Sequence, residues 1–298
     1  MGIIFEQLCL LFIFMFCGFL LGKSKKINPE HTKILSVLVV YLFLPCTVFN
    51  SFYKNFTISN LTQYYVLIIV SVATLCVLAL FAHGMSRLLS KNDYKRKVYK
   101  YSLVIPNYGY MGYALAQSLY GTEGLLHMVL FALPFTFYIY TFGYCMLTNQ
   151  KLSFKRLINP VVISILLGAV FGLSSIKLPS VVETFVSKSG SCMAPISMLL
   201  AGMTISEFSV KHMICDIKTY FISIMRLALI PLAVMFLLKM FFDDTVVRAA
   251  VLLCAMPCGL NTIVFPKLVG EDSKEGAKLA FVSSILSMLS IPLILNLI

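Results

Sequence analysis

The sequence predicts an all-α integral membrane protein in which ten transmembrane helices form two inverted five-helix repeats. Three observations lead to this prediction. The 298 residues are 59% hydrophobic and 12% charged, against about 45–50% and about 25% in soluble domains. Apolar runs of membrane-spanning length recur along the chain, and the mean hydropathy is +0.92. The glycine and proline positions of the first half recur in the second half at a nearly constant offset.

The apolar runs define the spans. A window of about 19 residues places them, in chain order, at 3–22, 33–53, 61–83, 98–119, 124–148, 158–174, 185–205, 217–239, 246–268 and 277–297. The fourth, sixth and ninth spans are the least regular, because each is short or interrupted by glycine and proline. The connections between the spans are too short to hold a soluble domain.

The basic residues favour one orientation in the membrane. Of the 24 Lys and Arg residues, 18 lie in or beside the odd-numbered connections and five beside the even-numbered ones, while Arg226 lies inside span 8. Because cytoplasmic connections carry the excess of Lys and Arg, we expect a cell-membrane protein with both termini outside. The same bias explains the net charge of +12 without nucleic acid as a partner, since no surface rich in both basic and aromatic residues is predicted.

Glycine and proline carry the internal repeat. An offset of 150 residues matches Gly18 with Gly168, Gly22 with Gly172, Pro29 with Pro179 and Pro45 with Pro195. With slight slippage, Pro106 matches Pro257 and Gly121 matches Gly270. The chain therefore divides into repeats at 1–148 and 149–298. Because five is odd, the second repeat enters the membrane from the opposite side, an arrangement found in many secondary transporters.

Spans 4 and 9 are each interrupted at matching positions of the two repeats. Span 4 contains Pro106, Asn107, Tyr108 and Gly109, and span 9 contains Pro257, Cys258, Gly259, Leu260, Asn261 and Thr262. Proline removes a backbone donor, and nearby glycine eases unwinding. Unwound backbone at membrane depth has to line a ligand or a watery cavity. The half-helix behind each break offers free N–H groups and partial positive charge to an anion.

We therefore expect the two breaks to form a substrate site. Its predicted members are Pro106, Asn107, Tyr108, Gly109, Pro257, Gly259, Asn261 and Thr262. The amides of Asn107 and Asn261 can donate to a carboxylate. The alternative is a pair of proline kinks packed by neighbouring helices, with the asparagines bonding between helices.

Three further residues are candidates for the site. Arg226 lies eight residues beyond Lys218, roughly 12 Å deep at 1.5 Å per residue, where a charge costs about 2.5–3.5 kcal/mol. It is either a counter-charge for an anion, a structural donor to helix carbonyls or a side chain that snorkels to the surface. Thr47 and Asn50 of span 2 either form a wall of the site or pack between helices.

The sequence predicts no metal site, no cofactor and no enzymatic activity. Cys254 and Cys258 are four residues apart, but no histidine or third cysteine lies near them in the sequence. No Asp or Glu lies in the middle of a span, so a coupling cation would rely on carbonyl, hydroxyl and amide oxygens. The spans also lack the pattern of a nucleophile with its base.

Four motifs carry a family resemblance across nearly the whole chain. They are IPNYGYMGYALAQSLYG and AMPCGLNTIVFPKLVGED at the two breaks, and NPVVISILLGAVFGL and APISMLLAGMTIS in the second half. Their order and spacing make the chain resemble the auxin efflux carrier family, which includes plant auxin exporters and bacterial carboxylate permeases. The short connection between spans 5 and 6 is similar to the compact prokaryotic branch, whose members resemble malate and malonate permeases.

The resemblance implies the fold of the bile acid–sodium symporters. In that fold helices 1, 2, 6 and 7 form a scaffold, helices 3–5 and 8–10 form a moving transport core, and the broken helices 4 and 9 cross inside the core. We therefore expect a secondary transporter of small organic anions, mono- or dicarboxylates, that works by alternating access. Coupling to H⁺ or Na⁺ and a homodimer formed through the scaffold helices are compatible with this function.

Two other functions stay open at this point. One is a sodium-coupled symporter of amphipathic anions like the bile acids, which a transport assay with and without sodium separates from the first. The other is a membrane receptor that keeps the fold and has lost transport, although the sequence predicts no soluble output domain.

Overall fold

The structure, a computed structural model, describes residues 2–24, 29–153, 158–174, 176–214 and 216–298. Within these ranges every regular element is helical. The main helices, numbered in chain order, are α1 (Gly2–Lys23), α2 (Pro29–Leu38 and Leu44–Asn55, joined by the π-turn Val39–Phe43), α3 (Leu61–Leu89), α4a (Asp93–Val104), α4b and α5 (together Tyr108–Thr148), α6 (Pro160–Ser174), α7 (Ser180–Ser191 and Met193–Ser206), α8 (Ile217–Lys239), α9a (Asp244–Ala255), α9b (Asn261–Leu268) and α10 (Lys274–Leu295).

Seven helical stretches in the described part of the chain are long and apolar enough to cross a membrane. They are Phe5–Lys23, Thr32–Asn55, Ile58–Leu89, Tyr108–Thr148, Ser180–Ser206, Ile217–Lys239 and Lys274–Leu295. The other three predicted spans are helical but do not form one helix of membrane-crossing length. The fourth and ninth are interrupted, and α6 has only 15 residues. Large apolar side chains such as Phe16, Leu80 and Phe236 are exposed along these helices and fit contact with lipid. The chain is therefore a helical protein suited to crossing the membrane several times.

Two glycines separate neighbouring helices. Gly121 has a φ of +68° and ends α4b inside the continuous stretch Tyr108–Thr148, so that α5 begins at the next residue. Gly270 has a φ of +75° and lies between α9b and α10. A residue with a side chain adopts such a φ only at a cost. These two positions are ones that the sequence repeat matches.

Glycine also allows two pairs of helices to approach closely. A β-carbon on Gly18 of α1 would overlap the carbonyl of Leu199 in α7. A β-carbon on Gly168 of α6 would lie 2.7 Å from the β-carbon of Phe52 in α2. Both glycines are followed four residues later by another glycine, which is the small-residue spacing of closely packed membrane helices. α1 therefore packs on α7, and α6 packs on α2.

The remaining helices form two further groups. α3 packs against α4a and α5, while α8 packs against α9a and α10. One continuous buried apolar cluster joins these groups to each other and to α1 and α2.

Some helices continue beyond the predicted spans: α3 runs on from the predicted end at 83 to Leu89. Backbone hydrogen bonding continues there after the apolar run has ended, and hydropathy alone does not detect it.

Replacing Gly202 by alanine is expected to loosen the packing of α1 on α7. A β-carbon at this position of α7 would overlap the Met15 carbonyl of α1. Overpacking of this kind costs about 1–3 kcal/mol, so the thermal unfolding temperature (Tm) of the detergent-purified protein should fall.

Gly84 of α3 provides the matched control, because a β-carbon there would meet nothing within 4 Å. Gly84→Ala should keep or raise the Tm, since alanine favours a helix over glycine by about 1 kcal/mol. Equal Tm values for Gly202→Ala and Gly84→Ala would contradict the close packing of α1 on α7.

Candidate functional site

Two unwound stretches meet side by side inside the protein. One separates α4a from α4b and contains Pro106, and the other separates α9a from α9b and contains Pro257. Their backbones pair in antiparallel fashion. The Asn107 N–H donates to the Pro257 carbonyl at 2.7 Å, and the Gly259 N–H donates to the Ile105 carbonyl at 3.2 Å. Each proline interrupts its own helix because it lacks an N–H, and each break then satisfies backbone groups of the other.

A cavity of about 100 Å³ lies at this crossing. Its wall is formed by α2, both breaks, the beginnings of α4b and α9b, the middle of α5 and the beginning of α6. Among the described residues that line it there is no Asp, Glu, Lys, Arg or His. The wall is therefore apolar and aromatic, and its polar groups are amides, hydroxyls and backbone.

Asn107 places on the cavity wall an amide that has no partner among the described residues. The residue is only 6% exposed to solvent, and its side chain makes no hydrogen bond to the residues that the structure describes. In contrast, the Asn261 amide donates to the Tyr101 hydroxyl at 3.1 Å. The amide atoms of Asn107 are not fully shielded, so they stay accessible from the cavity. The Asn107 amide therefore marks where a polar group of a ligand is expected.

The second half-helices begin at the cavity and direct their N-termini toward it. In α4b the first intrahelical bonds run from Met111 and Gly112 to the Asn107 carbonyl, so the preceding N–H groups have no partner within the helix. In α9b the first such bond runs from Thr262 to the Gly259 carbonyl. Each helix N-terminus carries about half a positive charge. Together the two ends make the cavity favourable for an anion, although no charged side chain lines it.

Three π-turns surround the cavity. Val39–Phe43 in α2, Tyr108–Gly112 in α4b and Ile139–Gly143 in α5 each contribute residues to its wall. The cause in α2 is Pro45, which follows the turn and has no N–H to donate. π-turns widen a helix locally and occur often at functional sites. Here they widen the helices where the cavity lies.

Arg226 lies in a further π-turn, in α8, and braces the crossing. Its side chain is fully buried. Its Nε donates to the Met256 carbonyl at 3.3 Å, and its Nη1 donates to the Leu103 carbonyl at 3.0 Å. These carbonyls lie at the C-terminal ends of α9a and α4a, each of which carries about half a negative charge. One guanidinium therefore balances two helix ends, which offsets part of the cost of burying it.

Comparison with known proteins identifies the family. The sequence matches the family described as membrane transport protein over residues 3–154 and again over residues 145–295. The chain belongs to the auxin efflux carrier family. The predicted resemblance is thereby confirmed.

Two archaeal relatives of similar length support the same assignment. An uncharacterised transporter of Methanocaldococcus jannaschii is 27% identical over 296 residues, which cover 92% of this chain and 93% of that protein. An uncharacterised transporter of Methanothermobacter thermautotrophicus is 20% identical over 296 residues, which cover 97% of this chain and 96% of that protein. Family and relatives alike are transporters, and the chain is a membrane transport protein.

The structure brings part of the predicted site of this carrier together at the cavity. The predicted residues that line its wall are Pro106, Asn107, Tyr108, Gly109, Gly259 and Asn261. Pro257 belongs to the crossing, where its carbonyl accepts the bond from Asn107. Thr262 is fully buried, and its hydroxyl donates to the Gly259 carbonyl at 2.9 Å. Their roles in binding a ligand stay predictions.

The other predicted residues lie away from the cavity wall. The Thr47 hydroxyl donates to the Gly190 carbonyl at 3.0 Å and so joins α2 to α7. Asn50 is buried in α2, and its amide oxygen has no partner among the described residues. Arg226 acts on the crossing through carbonyls, which is the structural alternative that the sequence left open.

Sequence reasoning missed the rest of the wall. The missed residues are Val39, Val40, Leu44, Tyr110, Tyr113, Thr136, Ile139, Tyr140, Asn159, Val161 and Leu260. Tyr110 and Tyr113 of α4b belong to the motif at the first break, so the sequence could have indicated them. The residues of α2 and α5 were not, because a uniformly apolar span does not reveal which side faces the protein interior.

Replacing Arg226 by methionine is expected to destabilise the carrier. The change leaves the Leu103 and Met256 carbonyls unpaired in the interior and removes the charge that balances two helix ends. An unpaired buried group costs about 1–3 kcal/mol, so the Tm of the purified protein should fall clearly.

Arg248→Met serves as the control for this test. Arg248 is exposed and pairs with Asp244 at 3.7 Å on the surface of α9a, an interaction of small effect. If Arg226→Met were as stable as Arg248→Met, the guanidinium would not be bracing the crossing.

Proposed function

We propose that this protein is a secondary active transporter of small organic anions, mono- or dicarboxylates, that works by alternating access in a cell membrane. The observation that carries the proposal is the cavity at the crossing. There the amide of Asn107, which has no hydrogen-bond partner among the described residues, and the N-termini of α4b and α9b face the same small space.

The proposed site binds a carboxylate without a charged side chain. The first N–H groups of α4b and the amide of Asn107 would donate to its oxygens, with Asn261 on the opposite break. Hydrogen bonds to an ionised group are stronger than neutral ones, and the two helix ends add a favourable potential. Release remains easy, because no buried counter-charge has to be left unpaired when the anion departs.

The architecture that we propose has ten spans in two inverted repeats, 1–148 and 149–298, with the fold of the bile acid–sodium symporters. Three observations support it. The family match covers the two halves separately, at 3–154 and 145–295. Gly121 and Gly270 both adopt positive φ between helices at matching positions. α1 packs on α7 as α6 packs on α2, which is the reciprocal pattern that exchanging the repeats would generate.

Alternating access would follow from the place of the cavity between two groups of helices. One wall comes from α2 and α6 of the proposed scaffold, and the other from α4b, α5 and α9b of the proposed core. The cavity reaches Asn159, which follows a connection rich in Lys and Arg. With that connection in the cytoplasm and both termini outside, as the Lys and Arg distribution predicts, we infer a cavity nearer to the inner side of the membrane.

The size of the cavity favours small substrates. A volume of about 100 Å³ lies well below the roughly 300–1,000 Å³ of sites for drug-sized ligands. A short carboxylate suits this space better than an amphipathic anion with a steroid skeleton. Coupling to H⁺ or Na⁺ is part of the proposal, with amide, hydroxyl and carbonyl oxygens as the available cation ligands.

Ligand-induced shifts of Tm test the site directly. The panel holds malate, malonate, succinate, lactate, a bile acid and indole-3-acetate, each with Na⁺ or K⁺ and at two pH values. A carboxylate that binds should stabilise the wild type by about 2.7 kcal/mol at 100 times its Kd. Asn107→Ala and Asn261→Ala should weaken this binding roughly 10- to 100-fold, as expected for the loss of a hydrogen bond to a charged group.

Asn50→Ala is the matched control, because Asn50 is as buried as Asn107, at 6% exposure, and does not line the cavity. The Asn50→Ala variant should keep the carboxylate-induced shift of Tm. Uptake of the same carboxylate into proteoliposomes then separates a transporter from a receptor, which would bind without transport. A shift that survives both crossing variants, or one seen only with the bile acid and Na⁺, would contradict the proposed site or substrate.

Gly109→Ala is expected to impair binding without impairing stability. A β-carbon on Gly109 would meet nothing within 4 Å and would stand in the cavity. The Tm without ligand should therefore hold, while the carboxylate-induced shift shrinks. At the other break, a β-carbon on Gly259 would lie 3.2 Å from the Ile105 carbonyl, so Gly259→Ala should lower the Tm itself. An undiminished shift in Gly109→Ala would mean that the anion binds elsewhere.

A further inference from the structure

Polar atoms without partners gather on one side of Arg226. Among the described residues, seven buried side-chain atoms without a hydrogen bond lie on α4a, α8 and α10. Ser290 Oγ lies apart from the others, near the C-terminal end of α10. The other six are Tyr99 Oη, Ser102 Oγ, Thr219 Oγ1, Ser223 Oγ, Arg226 Nη2 and Glu275 Oε2. These three helices pack against one another. We call this set of six residues the polar seam.

The polar seam runs along one face of α8. Thr219, Ser223 and Arg226 are spaced by four and three residues, so they share one face of α8 over roughly 10 Å. At one end, Glu275 of α10 pairs with Lys95, which lies one turn before Tyr99 on α4a. At the other end, Arg226 lies behind the crossing, where it binds the carbonyls of both breaks. The seam therefore connects the end of α10 that carries Glu275 with the crossing.

The seam hydroxyls differ from other buried hydroxyls of the protein. Thr74 and Thr141 donate to carbonyls one turn earlier in their own helices, at 2.8 Å and 2.6 Å. Serine and threonine commonly bond in this way inside helices. Ser102 and Ser223 are just as buried and do not make this bond. The Ser223 hydroxyl is left available to a partner other than its own backbone, and the Ser102 hydroxyl lies beside the Cys258 thiol at the crossing without a regular hydrogen bond to it.

A polar cavity adjoins the Glu275 end of the seam. Its volume is about 790 Å³, and Asp216 and Lys278 also line it. Glu275 Oε1 pairs with Lys95 at 3.1 Å and with Lys278 at 2.9 Å, while Oε2 has no partner among the described residues. Glu275 therefore borders this cavity, while its unpaired Oε2 is shielded from bulk solvent.

We propose that the polar seam binds a chain of water molecules that joins this cavity to the guanidinium of Arg226. Buried waters in proteins typically make about three hydrogen bonds to groups of this kind, and leaving so many donors and acceptors unpaired would be strongly destabilising. A metal cation is a poorer occupant, because Arg226 and the two lysines beside Glu275 repel it. None of the six residues lines the cavity at the crossing, so this hydrated path is independent of the proposed anion site.

Hydroxyl-radical footprinting of the intact detergent-purified protein tests the proposal. Radicals formed from bound water label the side chains beside it. Tyr99 and Phe131 are both fully shielded from bulk solvent, and only Tyr99 belongs to the seam. Tyr99 should be labelled several-fold more than Phe131, and the double variant Thr219→Val, Ser223→Ala should lose most of this labelling. Thr141→Val, which removes a hydroxyl bonded within α5, should leave it unchanged.

The stability of the double variant gives an independent readout. If water bridges the two hydroxyls, their removal breaks hydrogen bonds and lowers the Tm by a few degrees. If the seam is dry, removing unpaired hydroxyls raises the Tm. Labelling of Tyr99 no stronger than that of Phe131, or a raised Tm, overturns the water chain.

Discussion

Two backbone hydrogen bonds, from Asn107 to Pro257 and from Gly259 to Ile105, tie the broken helices together. The rest of the site depends on this pairing. Proline opens each helix, and an opened helix inside an apolar interior is tolerable only when its backbone groups find partners. Each break supplies partners to the other, so neither would be stable alone. Arg226 completes the arrangement, because its guanidinium donates to the Leu103 and Met256 carbonyls, which the two backbone bonds do not use.

The same arrangement separates charge across the crossing. The C-terminal ends of α4a and α9a direct their partial negative charge at Arg226, which neutralises it. The N-terminal ends of α4b and α9b direct their partial positive charge at the cavity, where no acidic side chain of the described wall neutralises it. An anion site can therefore arise from backbone alone. The proposed carboxylate site rests on this arrangement.

Close glycine packing and π-turns lie in different segments of the protein, and α2 contains both. Glycines bring α1 onto α7 and α6 onto α2 so closely that even a β-carbon would collide. Around the cavity, in contrast, π-turns interrupt regular helix packing in α2, α4b and α5. This contrast fits a stiff frame beside a part that can shift. The water chain proposed in the polar seam would reach the crossing through residues that do not line the cavity.

Composition and local chemistry were enough to predict a helical membrane protein, its family and the positions of both breaks, because lipid solvation and the missing N–H of proline act on short segments. The positive φ of Gly121 and Gly270 also lies at positions that the repeat had matched. The composition of the cavity wall and the role of Arg226 depended on tertiary packing. Only the folded chain decided that Tyr140 and Thr136 turn toward the cavity, whereas Thr47 and Asn50 do not. Tertiary structure likewise decided that Arg226 braces helix ends, since its partners Leu103 and Met256 lie far from it in sequence and next to it in space.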